Sequence, residues 1–231
     1  MRYRLHIANK NYSSWSMRPW VLMRALDIAF EEVLTPFEYG MRQPSFDVFS
    51  PSGKVPCLVE SDLTVWDSLA ICEYLAEAHP AVWHHEPVAR AFARCAAAEM
   101  HSGFGALRDE CSMNCRLVIA LTTPSEALKR DLKRLESLWC FGLERFGGPW
   151  LAGDRFTAVD AFFAPVAVRL KNYQLDLNEQ AMAYVDRLLS HPAVAEWVST
   201  GIQEPWREAS HEEDCIRDRR VVREHQPPVE T

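Results

Sequence analysis

The stretch SGKVPCLVESDLTVWDSLAICEYLAEA, residues 52–78, decides the fold of this chain. Pro56-Cys-Leu-Val-Glu60 and Thr64-Val-Trp66 are short β-type runs joined by the polar turn Ser61-Asp62. From Ser68 onward, Leu69, Cys72 and Leu75 fall at helical spacing. A tight hairpin therefore feeds a helix. That helix begins at Asp67-Ser68, residue types that favour a helix start, so its free N–H groups and positive dipole end sit beside a carboxylate and a hydroxyl. Such a place holds a small carboxylate well. Upstream, Val55-Pro56 puts a residue without an N–H at the mouth of a strand, where a cis bond would turn the Val55 N–H and C=O outward to pair with a peptide.

Working outward, Tyr3, Leu5 and Ile7 alternate with polar residues at the period of a half-buried strand, and Asn9 to Ser14 reads as a polar turn. From Ser16 the run MRPWVLMRALDI has helical spacing, with Pro19 early enough to be tolerated. Phe30 to Leu34 is a second strand, and Thr35 to Phe49 is irregular with room for one short helical turn. Strand, helix, strand, hairpin and helix within the first 79 residues is the order of a thioredoxin-like α/β domain. The two prolines within residues 80–87 mark a linker, and 88–206 is expected to be an all-α domain. Its expected helices run from Val88 to Met113 (Ala-rich), from Pro124-Ser125 to about Arg145, over Val159 to Leu170, Asn178 to Leu189 and Pro192 to Val198. Residues 207–231 form a charged tail, either partly disordered or packed back over the body.

A formal charge of -7 argues against a nucleic-acid surface, which needs concentrated Lys and Arg. Small molecules are the expected partners. Seven cysteines at irregular spacing do not make a secreted disulfide framework, and no stretch is apolar enough to cross a bilayer, so a reducing cytoplasm is expected. Cys111 and Cys115, read as one helical turn apart, could share a metal with His101 but lack a fourth ligand, so no metal is expected. The absence of a Gly-x-Ser-x-Gly elbow argues against a serine hydrolase.

Three features, in order, resemble the glutathione transferases over nearly all of positions 1 to 206: Ser13-Ser-Trp-Ser-Met-Arg18, Gly53-Lys-Val-Pro56 followed by Asp67-Ser68, and Gly153-Asp-Arg-Phe-Thr-Ala-Val-Asp160. The first is similar to the serine loop of zeta and related classes. The third resembles the capping box of the family's helical domain, and has its own physical sense, since Thr157 and Asp160 can cap reciprocally for roughly 0.5–2 kcal/mol. Asp is shorter than the usual Glu or Gln, which weakens the returning half of that pair.

The resemblance implies a thioredoxin-like glutathione-binding domain, an all-α substrate domain, glutathione as co-substrate and a homodimer. It implies that Ser13 or Ser14 donates a hydrogen bond to the glutathione sulfur. Counting back from Arg18 gives Ser13 by comparison with zeta and omega sequences, the slightly favoured choice, and Ser14 by comparison with delta ones. A thiol near pKa 8.5 must ionise to attack, and a drop of about two units corresponds to about 2.7 kcal/mol. The resemblance also assigns Val55, beside Pro56, to the cysteinyl unit, Asp67 and Ser68 to the γ-glutamyl end, and Lys54 to the glycyl carboxylate. Trp15 stands where the zeta loop carries Cys, which disfavours maleylacetoacetate isomerisation and offers an apolar wall to a hydrophobic electrophile. The expected activity is conjugation, with a zeta-type isomerase or lyase and a non-catalytic binding protein of the same fold as the alternatives.

Overall fold

In the computed structural model, which describes residues 2–40, 42–121, 123–217 and 219–226, strand β1 (Tyr3–Ile7) pairs parallel with β2 (Phe30–Leu34), Tyr3 opposite Phe30 and Ile7 opposite Leu34. A parallel pair needs a crossover, and helix α1 (Ser14–Ala25) supplies it. Strand β3 (Cys57–Glu60) adds antiparallel to β1, with Leu58 opposite Leu5, and the hairpin to β4 (Leu63–Val65) completes a sheet of order β2-β1-β3-β4. Helix α2 (Ser68–Ala78) follows, capped by Asp67, whose Oδ1 accepts the Leu69 N–H at 3.0 Å. Val55-Pro56 is cis. A 3-10 turn over Pro44–Val48 is the one short helical turn expected in the irregular stretch.

The rest of the chain is mostly helical. Helix α3 (Pro87–Ser102) and helix α4 (Gly105–Glu110) replace the single helix expected from Val88 to Met113. The break is at Phe104, left-handed at φ 55° between two glycines, residues that disfavour helix interiors. Cys111 caps the end of α4 and Cys115 lies beyond it, so the pair does not share a helix as read from the sequence. Helices α5 (Glu126–Phe146), α6 (Ala158–Asn172), α7 (Glu179–Ser190) and α8 (Pro192–Gln203) follow the sequence closely. The expected all-α domain gains a strand, β5 (Leu117–Ala120). Its partner is in the charged tail, where helix α9 (Ala209–Ile216) leads to strand β6 (Arg220–Glu224), and Leu117 pairs opposite Glu224. The tail thus packs back over the body; positions 218 and 227–231 lie outside the described residues.

Helix α6 is the centre of the helical layer. It is apolar on every side and almost wholly buried, as a helix of that composition must be. Its capping carboxylate does reach back: Asp160 Oδ2 accepts the Thr157 N–H at 2.9 Å, while Oδ1 accepts from Leu151 N (3.0 Å) and the Tyr184 hydroxyl (2.7 Å). Helix α1 docks on α6 and α8, with the rings of Trp20 and Trp197 edge to face at 5.2 Å.

The turn read as polar, Asn9 to Ser14, is buried. Glu204, just past α8, accepts the N–H groups of Lys10 (2.7 Å) and Asn11 (3.2 Å), and Asn11 Oδ1 accepts those of Cys115 (2.9 Å) and Arg116 (3.1 Å). Gly201 permits this contact, because a Cβ there would lie 3.0 Å from the Asn11 nitrogen. Polar residues can be buried here because distant side chains satisfy their backbone.

Candidate functional site

The buried turn delivers two serines to the start of α1. Ser13 is the N-cap, and its hydroxyl donates to Ser16 Oγ at 2.7 Å. Ser14 is the first helical residue, and its Oγ accepts from Arg169 Nη2 at 3.2 Å. Arg169 comes from the buried helix α6; its Nε donates to the Cys111 carbonyl at 2.7 Å, and its Nη1 has no partner among the described residues. Burial pulls the Arg169 guanidinium down to about 10, and burial followed by repulsion from Arg169 and Arg108 pulls Arg18 down to about 9. Both remain cationic at neutral pH.

Ser13, Ser14 and Arg169 border a cavity of about 640 Å³. Ser13, Ser14, Trp15, Lys54 and Val55 all line it. Its cations are Arg42, Lys54, Arg108 and Arg169, and Asp47 is the lining carboxylate. An anionic ligand is favoured there. Trp15, Phe37, Phe46 and Met113 provide apolar wall. Pro56 is buried behind Val55 and is not part of the lining.

Asp67 and Ser68 are also outside the lining. Ser68 is fully buried, and its Oγ accepts from Arg18 Nη1 at 3.4 Å. Arg18 connects it to the cavity wall, with its guanidinium 4.0 Å from the centre of the Trp15 ring. The second Asp67 oxygen lies 3.2 Å from His101 Nε2. The sequence-derived residues therefore form two neighbouring groups joined through Arg18.

Residues 12–78 match the glutathione S-transferase N-terminal domain and residues 88–199 the glutathione S-transferase C-terminal domain. The chain belongs to the glutathione S-transferase family. Glutathione S-transferase GstB of Escherichia coli is 26% identical over 80% of this chain and 93% of its own. A probable maleylacetoacetate isomerase of Caenorhabditis elegans is 27% identical over 71% of this chain and 77% of its own. The crystal structure of a glutathione transferase homolog from Burkholderia with bound glutathione shares the fold at a TM-score of 0.64, with 24% identity, 87% of this chain and 98% of that chain covered. The relatives span several subfamilies, and no single class is distinguished.

Within this family framework, several site residues have no assignment from sequence. Arg169 carried a usable signal, the one cation in the apolar run AVDAFFAPVAVRL, since an arginine buried in such a helix needs a partner. Tyr12 and His211 carried none. The Tyr12 hydroxyl donates to Glu212 Oε1 at 2.6 Å and accepts the Glu208 N–H at 3.3 Å. Burial, then the Glu212 carboxylate, pushes its ionisation well up, so this phenol is not poised to serve a thiolate. His211 lines the cavity with its ring against Phe37 (4.5 Å) and Tyr12 (5.0 Å). Among the described residues no cluster of His, Cys, Asp or Glu is arranged to hold a metal, and no helix is long and apolar enough to cross a membrane.

Proposed function

We propose that this protein binds glutathione in the cationic cavity and conjugates its thiolate to a small electrophile, with Ser14 as the hydrogen-bond donor to sulfur. The carrying observation is the different state of the two serines. Ser13 commits its proton to Ser16, whereas Ser14 accepts from Arg169 and keeps its own proton free to donate. A hydroxyl that accepts from a cation is a stronger donor in turn, and the buried charge behind it favours a sulfur anion. Val55 pairs with the cysteinyl backbone, Lys54 and Arg42 receive the glycyl carboxylate, and the γ-glutamyl end extends past the cavity lining toward Asp67 and Ser68, which Arg18 joins to the wall. Trp15 and the aromatic wall accommodate the apolar part of the electrophile.

Ultraviolet titration of bound glutathione tests the assignment. Ser14→Ala should raise the thiol pKa by about one to two units with affinity nearly intact, and Ser13→Ala should leave it within about 0.3 units. A shift for Ser13→Ala alone would return the role to Ser13. Relatives named as maleylacetoacetate isomerases keep a second reading in play, in which the thiolate is regenerated each cycle. Stoichiometric consumption of glutathione supports conjugation; turnover without consumption supports isomerisation.

A further inference from the structure

We propose that His101 is a positioning residue for glutathione: it holds the free oxygen of Asp67 for the ligand's α-ammonium without cancelling the charge of that carboxylate. The inference rests on the reading above in which the γ-glutamyl end reaches Asp67 and Ser68. That end is a zwitterion, and the two residues offer its complement. Ser68 accepts from Arg18 and keeps its own proton for a carboxylate, and the buried Arg18 leaves its Nε without a partner among the described residues. Asp67 is the negative half, and its side chain is 53% exposed, within reach of a ligand. A carboxylate this exposed turns freely unless both oxygens are held. The Leu69 N–H holds Oδ1 at 3.0 Å, and His101 Nε2 holds Oδ2 at 3.2 Å. His101 is in the last turn of α3, with its ring 5.3 Å from the Trp15 ring, edge to face, and 6.5 Å from Phe162. It therefore joins the γ-glutamyl half to the aromatic wall of the cavity.

A carboxylate only accepts, so the proton of the neutral ring is on Nε2 and Nδ1 is bare. Nδ1 is buried and has no partner among the described residues. A second ring proton would be a buried donor without an acceptor, which disfavours the cation. Burial lowers the pKa of His101 below its ordinary 6.5; Asp67 opposes this, and Arg18 on α1 and Arg108 on α4 reinforce it. At neutral pH the ring therefore orients Asp67 as a neutral donor, and the negative charge is left for the ammonium. In acid, a protonated His101 would cancel that charge and set a second cation against the ligand. Affinity for an amine-bearing ligand should fall as the pH drops below 6.5.

The test is calorimetry with two ligands, S-methylglutathione, which has no thiol to titrate, and the same compound lacking its α-amino group, with a thermal melt for every variant. His101→Leu should weaken the amine-bearing ligand about five- to tenfold near pH ~7.5 and leave the deaminated one within about twofold. His101→Gln, whose amide can donate from the place of Nε2, should restore affinity to within about twofold. Between about pH 7.5 and about pH 5, wild-type protein should lose about fivefold in affinity for the amine-bearing ligand, and His101→Gln should not. Equal losses for both ligands in His101→Leu, or an acid loss that persists in His101→Gln, would overturn the role. Should the melt show His101→Leu unfolded, the acid comparison with His101→Gln decides alone. Wild-type protein that binds both ligands equally also overturns it, since Asp67 then meets no ammonium. Binding of neither ligand at millimolar concentration overturns the glutathione reading itself, a distinct result.

Discussion

The hairpin and helix of residues 52–78 and the segment of residues 204–226 lie on opposite sides of the legibility of this chain, although both adjoin the candidate site. The first is built from near neighbours: Val59 opposite Thr64, Asp67 capping Leu69. The second is built from contacts across the whole chain. Glu204 holds the Lys10 N–H 194 positions away, Tyr12 bonds Glu212, and β6 pairs with β5. Local order produces a shape that patterning announces, whereas order made at long range leaves no period in the sequence. The functional weight of the two regions does not follow that difference.

The sharpest test of the comparison is Glu204→Ala. It leaves two buried backbone N–H groups without an acceptor, each costing roughly 1–3 kcal/mol, so a loss of about 3 kcal/mol in urea unfolding is expected. A loss under about 1 kcal/mol would show that the distant segment is an ornament on a self-sufficient turn.

Ser68→Ala is the matching change in the hairpin and helix unit, and its main effect should fall on the ligand. Removing a charge-assisted hydrogen bond to the γ-glutamyl carboxylate is expected to weaken glutathione binding by roughly tenfold or more, read by calorimetry. Stability should move by about 1 kcal/mol at most, because Asp67 caps α2 and the Ser68 bond to Arg18 is long, at 3.4 Å. Unchanged affinity would confine the ligand to the cavity lined by Ser14 and Val55.

How far the sequence carried follows from the same physics. The sheet, α2, α6 and the Thr157–Asp160 cap were legible because each has a period or a cap within a few residues. Ser13, Ser14, Trp15, Lys54 and Val55 were grouped from the sequence, and the fold brings them to one cavity. The different hydrogen bonding of the two serines was not legible, because it depends on Arg169, 155 positions from Ser14 on α6. Strand β5 was missed because Leu-Val-Ile-Ala is too short to separate from a helix by periodicity, and its partner lies in a stretch rich in charge. The break at Phe104 was hidden by the alanines before it.

An acid titration of stability isolates the distant segment again. Burial alone would raise Glu208, but hydrogen bonds from the Ser210 hydroxyl and the His211 ring, then from both backbone N–H groups, outweigh it and bring it down to about 2. A depressed carboxylate stabilises the fold above its ordinary value of 4.5 and loses that contribution as pH falls toward 2. Wild-type protein should therefore lose about 1–2 kcal/mol over this interval that Glu208→Gln does not lose. Parallel acid curves for the two proteins would mean that the carboxylate is not held in solution.

The smallest expected effect is at Lys54, the exposed cation of the hairpin region. It lines the cavity with Arg42, but its ammonium stays in water, where an ion pair with a glycyl carboxylate is worth roughly 0.5 kcal/mol and is screened by salt. Lys54→Ala should therefore weaken glutathione about twofold at low ionic strength, and the difference should shrink in molar salt. A tenfold loss that persists in salt would mean that the ligand desolvates this lysine, and the hairpin would then close over glutathione more tightly than its exposed position suggests.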